Sequence, residues 1–132
     1  MENIMSFYQT EINRIKDICY SNDQQLATVI AIRNFIDQHF DGELNLDLLA
    51  HMRFTSRFHL LRLFKKYYGL TPKQYLTIKR LEAAKKCLRE GMPIADTCYR
   101  AGFDTPSSFS TLFKSKIGVS PIEFQKRATF AK

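Results

Sequence analysis

The sequence predicts an all-α fold of two helix-turn-helix units joined by a long linker helix, with an extra N-terminal helix. Three observations carry this. Five glycines and four prolines punctuate a chain whose apolar residues otherwise recur at spacings of three and four. No segment sustains the two-residue alternation of a half-buried strand. The stretch Ser56 to Pro72, SRFHLLRLFKKYYGLTP, recurs forty-nine positions later as Thr105 to Pro121, TPSSFSTLFKSKIGVSP. In that register Leu60 meets Phe109, Leu63 meets Leu112, Phe64 meets Phe113 and Lys65 meets Lys114. Gly69, Thr71, Pro72 and Tyr75 meet Gly118, Ser120, Pro121 and Phe124. Two copies are too few for a solenoid and describe a chain with two similar heads.

The first element is a helix over Ile4 to Tyr20, with Ile4, Tyr8, Ile12, Ile15 and Cys19 on one stripe. Ser21-Asn22-Asp23 is expected to end it and cap the next helix, Gln24 to Phe40, whose stripe is Val29, Ile32, Ile36 and Phe40. Asp41-Gly42-Glu43 reads as a turn. Asn45 then caps a short helix from Leu46 to about His51, and the chain turns through Arg53 and Phe54. Thr55 or Ser56 caps a basic helix that runs to about Tyr67 and stops at Gly69. Two short helices on a tight turn make a helix-turn-helix unit.

Thr71-Pro72 supplies cap and first-turn proline for the linker helix. It runs to Arg89, with Tyr75, Leu81, Ala84 and Leu88 along its stripe, and ends at Gly91. Eighteen residues at about 1.5 Å each make a strut of roughly 27 Å. Pro93 opens a short helix from Ile94 to about Arg100, and Gly102-Phe103 forms the second turn. Thr105-Pro106 repeats the cap-then-proline device for a helix to about Lys116, stopped at Gly118. Ser120-Pro121 starts a last helix expected to fade after Arg127, with a frayed tail. The expected division is an N-terminal extension (1–23), a first unit (24–71), a linker (72–91) and a second unit with the C-terminal helix (92–132).

The net charge of +7 is unevenly spread. Residues 1–45 carry three Lys/Arg against seven Asp/Glu, and residues 46–132 carry seventeen against six. A basic excess confined to the repeated region points to a polyanion. No run approaches the roughly 18 apolar residues of a membrane span, and the N-terminus lacks a signal-peptide layout. A cytoplasmic location is expected. Cys19, Cys87 and Cys98 form no C-x-x-C, and His39, His51 and His59 complete no metal-ligand cluster. Neither a metal nor a cofactor is expected. Phosphate-binding, dinucleotide-binding, zinc-protease and serine-hydrolase motifs are absent, so no catalytic residue is assigned. Capping and turn roles explain Asp96 and Asp104.

Each basic second helix divides into two faces. In the first unit Leu60, Leu63, Phe64 and Tyr67 share a core face, and Phe58, Leu61, Arg62 and Lys65 lie opposite. In the second unit Phe109, Leu112 and Phe113 face the core, and Ser107, Ser110, Thr111 and Lys114 lie opposite at the same spacing. That layout suits a helix in a DNA major groove. Arg62 can pair with guanine, Phe58 and Leu61 can meet thymine methyls, and Ser107, Ser110 and Thr111 can serve base or phosphate. Ser56, Lys65, Lys66, Thr105 and Lys114 are the candidate phosphate contacts, which position without reading sequence. Double-stranded DNA is thus the expected partner, with RNA polymerase a candidate second one. The alternative is a protein-binding adaptor that uses Phe58 and Leu61 as its patch, a reading favoured if the N-terminal helix covers Phe58.

Over Leu26 to Arg127 the chain resembles the DNA-binding domain of the AraC/XylS family of bacterial transcription regulators. The resemblance rests on SRFHLLRLFKKYYGLTPKQYLTIKRLEAAKKCL and AGFDTPSSFSTLFKSKIGVSPIEFQKR. It implies a seven-helix domain whose two recognition helices enter successive major grooves of an asymmetric site, in a regulator expected to be an activator. It places the base-reading positions on Phe58, Leu61 and Arg62, and on Ser107, Ser110 and Thr111. It makes Arg80 and Leu81 structural parts of the strut, and Gly102 and Phe103 the turn and core of the second unit. Two departures stand out. Thr111 replaces a common arginine, and Thr97-Cys98 replaces an aliphatic-alanine pair. The first unit should therefore carry most of the base discrimination, with the second anchoring the backbone. No small-molecule effector domain is visible. The Met1-Glu2 start favours a stand-alone domain, and the oligomeric state is left open, with monomer binding compatible.

Overall fold

A computed structural model describes residues 4–130, apart from the side chains at positions 4, 5, 7, 15–21 and 130. Seven helices follow in order: α1 (Ile4–His39), α2 (Leu46–Met52), α3 (Arg57–Tyr68), α4 (Pro72–Arg89), α5 (Ile94–Arg100), α6 (Pro106–Ile117) and α7 (Pro121–Phe130). The described residues contain no strand.

The caps are the ones the sequence signals. Asn45 accepts from the Asp47 amide, Ser56 from His59 and Thr105 from Ser108, each side chain satisfying a first-turn amide. Thr71 and Gln74 form a reciprocal capping box at the start of α4, at 3.2 and 2.9 Å. α3 and α6 stop at Gly69 and Gly118. α7 continues to Phe130, beyond the expected fading point.

The expected break at Ser21-Asn22-Asp23 does not occur, and α1 is one helix of 36 residues. These residues favour caps, but none forbids helical geometry. Their propensity deficit of about 0.5 kcal/mol each is smaller than the cost of nucleating a new helix. The N-terminal extension is therefore continuous with the first helix of the fold. Its stripe does not face the core, since Tyr8 is 58% and Ile12 45% exposed. Ile4, Ile15 and Cys19, on the same expected stripe, have side chains outside the described set.

Two separate cores form. Val29, Ile32 and Ile36 of α1 bury against Leu49 and Ala50 of α2 and Leu60, Leu63 and Phe64 of α3, with Tyr67, Tyr75 and Leu76 packed at the edge. Leu81, Ala84 and Leu88 of α4 bury against Cys98, Ala101, Phe109 and Phe113, with Phe103 and Phe124 beside them. The strut thus lends its first turn to one core and its last three turns to the other. α7 lies along α4, and Gln125 Nε2 donates to the carbonyls of Leu88 (3.1 Å) and Met92 (2.7 Å). Gln125 thus adds a second donor to the Leu88 carbonyl, which also accepts from the Gly91 amide, and ties the Met92 carbonyl just past the end of α4 to α7.

The two turns differ by one residue. The amide of Thr55 donates to Ala50, and the amide of Phe103 donates to Cys98, the same five-residue closure. Ser56 then caps α3 directly, whereas Asp104 intervenes before Thr105. Phe54 (φ 53°) therefore occupies the conformational position of Gly102 (φ 94°), not that of Phe103. Phe103 packs on its core, while Phe54 is 99% exposed.

Candidate nucleic-acid interface

α3 and α6 are positioned by burial of one face each. Leu60 and Phe64 are fully buried, as are Phe109 and Phe113, and ring contacts lock them. Phe64 meets Tyr75 edge-on at 5.8 Å, and Phe113 meets Phe124 at 5.5 Å. The opposite faces are open. On α3, Phe58 is 72% exposed, Arg62 and Lys65 are exposed, and Leu61 is half-buried. On α6, Ser107, Thr111 and Lys114 are exposed and Ser110 is half-buried. Each helix lacks an acid in its first turn and carries lysines in its last. Neither helix contains a carboxylate that would repel a phosphate backbone.

The polar groups on the two faces are not equally available. Thr111 Oγ1 donates to the Ser107 carbonyl at 3.1 Å, so it offers its methyl and an acceptor lone pair outward rather than a donor. Thr105 Oγ1 caps α6 and also lies 2.7 Å from Ser108 Oγ, which ties its hydroxyl into a local network. Ser56 uses an acceptor lone pair in its cap, and its O–H remains to donate. Lys66 Nζ rests 5.3 Å from the Tyr67 ring centroid, a cation–π contact that orients it beside the exposed face.

Phe58 is not covered by α1, which packs against α3 through the first core. Among the described residues, the arrangement that would favour the adaptor reading is absent. The described residues hold no cluster of three or more His, Cys, Asp or Glu able to bind a metal, and no helix among them is long and apolar enough to cross a membrane.

The helix-turn-helix domain family matches residues 49–127, more than half the chain and both turn-plus-second-helix segments. The chain belongs to the AraC/XylS family. Among curated AraC/XylS-type relatives, the probable transcriptional regulator LumQ of Photobacterium leiognathi is 34% identical over 94% of this chain and 50% of its own length. The bifunctional transcriptional activator/DNA repair enzyme AdaA of Bacillus subtilis is 36% identical over 72% of this chain and 46% of its own. This AraC/XylS domain thus spans about half or less of the relatives it matches. The C-terminal domain of AraT, a response regulator from Geobacillus stearothermophilus, superposes with a TM-score of 0.73 at 33% identity, covering 76% of this chain and 84% of that one. The DNA-binding domain of AdpA, solved in complex with a target DNA, superposes with a TM-score of 0.74 over 79% of this chain and 95% of its own, and at 21% identity that likeness shows the fold.

Three features of the AraC/XylS domain were not legible as site features in its sequence. Arg80, read as a structural part of the strut, joins the first unit through two backbone carbonyls. Gln125 holds the end of α4 from α7. Thr111 spends its proton on its own helix. No local pattern marks the first two, since their partners lie more than thirty residues away.

Proposed function

We propose that this chain binds double-stranded DNA sequence-specifically, sets α3 and α6 into successive major grooves of an asymmetric site, and regulates transcription as an activator. The observation that carries the reading is the pairing of two helices, each with a buried aromatic core face and an open, acid-free outer face, on one helical strut. Heads that read one side of a duplex must sit about 34 Å apart, and a strut of about 27 Å plus the half-widths of its flanking units is compatible with that. The name of AdaA, a transcriptional activator, supports the regulatory role.

In this reading Phe58, Leu61 and Arg62 read bases from the first unit (24–71). Ser107, Ser110 and Thr111 do so from the second (92–132), and residues 72–91 set the distance. Ser56, Lys65, Lys66, Thr105 and Lys114 hold phosphates. RNA polymerase is the second partner, the chain acts in the cytoplasm, and no catalytic step is involved. The direct test is binding to promoter fragments of the source genome at rising salt. A sequence-selective complex that weakens steeply with salt is expected. Absent binding, or binding indifferent to salt on every fragment, would remove the reading.

A further inference from the structure

Among the described residues the two units share no buried apolar cluster, so something else must fix how one sits relative to the other. Beside the strut the surface between them opens into a cleft, with Phe40 and Asp41 on one side and Tyr99 and Arg100 on the other. A helix connects the units, yet helices bend gently along their length, and the second unit hangs at the far end. One contact off the strut axis closes this freedom. Arg80 Nε donates to the Phe40 carbonyl and Arg80 Nη2 to the Gly42 carbonyl, both at 2.7 Å. The planar guanidinium fork suits two acceptors held in one turn.

The second unit reaches the same point through Gly102. A Cβ there would stand 2.7 Å from the Phe40 carbonyl oxygen, 2.9 Å from Asp41 Cα and 3.0 Å from Arg80 Nε. Two of those neighbours are backbone and cannot swing away. Positive φ already strains a side chain at Gly102, and the backbone of Phe40 and Asp41 adds a steric block that the matching turn at Phe54 lacks, where a full side chain is 99% exposed. What separates the two turns is that one is free and the other docked. Acids from both units flank the guanidinium, Asp41 from the α1–α2 turn and Asp104 from the α5–α6 turn, and their charge opposes the burial that lowers the Arg80 pKa.

We propose that Arg80, Gly102 and the Phe40–Gly42 turn form an interlock that fixes the pose of α6 relative to α3. It thereby sets the half-site spacing the chain accepts, a consequence that rests on the DNA reading above. Arg80 is a positioning residue, since its side chain is engaged with the protein's own backbone.

The interlock is tested on the free 132-residue chain by pulsed electron resonance. Spin labels go on the exposed positions His51→Cys and Ser115→Cys, in a Cys19→Ser background that leaves only the buried Cys87 and Cys98. The intact interlock should give one narrow distance distribution. Arg80→Lys keeps the charge but loses the fork, and should broaden or shift it. Gly102→Ala should do the same, while Gly91→Ala, with equally positive φ but nothing within 4 Å, should not. If Gly102→Ala fails to fold, Arg80→Lys decides. Unchanged distributions in Arg80→Lys overturn the proposal.

The consequence is tested on a duplex selected from a random pool by the unaltered chain. Inserting one base pair between its half-sites turns them by about 35° and parts them by about 3.4 Å. The unaltered chain should lose at least about tenfold in affinity on the insertion, or about 1.4 kcal/mol. Arg80→Lys should bind the original duplex more weakly and lose several-fold less on insertion. Equal insertion losses in both proteins refute the spacing role. A pool that yields no duplex sinks the DNA reading and leaves the interlock to the distance measurement.

Discussion

Arg62 and Lys65 stand one turn apart on the exposed face of α3, yet their chemistry separates them. The guanidinium can grip two acceptors on one guanine edge, and the ammonium is a point charge suited to any phosphate. Arg62→Ala should relax preference at one base position, with a loss of about 1–3 kcal/mol of discrimination there. Lys65→Ala should weaken binding to all sequences alike. Competition binding against single-base variants of a selected duplex distinguishes the two. Loss of neither affinity nor preference on Arg62→Ala would show that this face does not read bases. Phe54 raises a different residue-scale question. A non-glycine residue in the left-handed region costs about 1–2 kcal/mol, and a side chain 99% exposed recovers little of it by packing. Phe54→Gly should therefore stabilise the chain by about 1 kcal/mol in urea melts, after allowing for glycine's own entropy. A destabilised variant would show that Phe54 makes a contact its exposure conceals.

At the scale of elements, the strut is held to α1 by Tyr75, whose hydroxyl donates to Asp37 Oδ1 at 2.5 Å, with Lys79 3.6 Å from the same carboxylate oxygen. Burial, then the bond to Asp37, push the Tyr75 phenol well above its ordinary value. Below a pH of about 10 the phenol is protonated in folded and unfolded chains alike, and the bond's contribution is fully present. Above that pH the unfolded chain sheds a proton that the fold retains, so the contribution declines as pH climbs toward the folded pKa. Tyr75→Phe should cost about 1.5 kcal/mol at pH 8, and the gap between the two proteins should narrow by pH 10.5. A gap independent of pH would remove the linkage. In the second unit, Thr97 is fully buried and its Oγ1 has no hydrogen-bond partner among the described residues. Thr97→Val keeps the shape and removes that polar atom, and should raise stability by about 1 kcal/mol in the same melts. A loss would place a bond on that hydroxyl. The elements themselves were largely legible because caps, prolines and stop glycines act within four residues of where they sit. The continuity of α1 was not, because Ser21-Asn22-Asp23 can cap a helix or continue one, and the local sequence does not weigh that choice against nucleation. The open outer faces of α3 and α6 were legible from spacing, whereas the bond that occupies Thr111's proton and the one-residue offset between the turns depend on backbone geometry.

Across the whole molecule, charge and architecture divide along the same line. The acidic residues 1–45 supply α1, which backs the first unit, while the basic excess lies in residues 46–132, which carry both outer faces. Salt dependence then reports how many heads engage DNA. Each phosphate neutralised adds about −0.9 to the slope of log K against log salt. If three to five contacts form, affinity should fall roughly 40- to 500-fold between 50 and 200 mM salt. Lys65 and Lys114 occupy matching places on α3 and α6, so each substitution probes one head. Lys65→Ala and Lys114→Ala should each flatten the slope by about 1, and the double variant by about 2, because the sites are far apart and should add. The measurement is a titration of a selected duplex across salt for the four proteins. A slope that responds to Lys65→Ala but ignores Lys114→Ala would mean that the first unit binds alone. The shared strut would then serve the fold without placing α6 on the duplex.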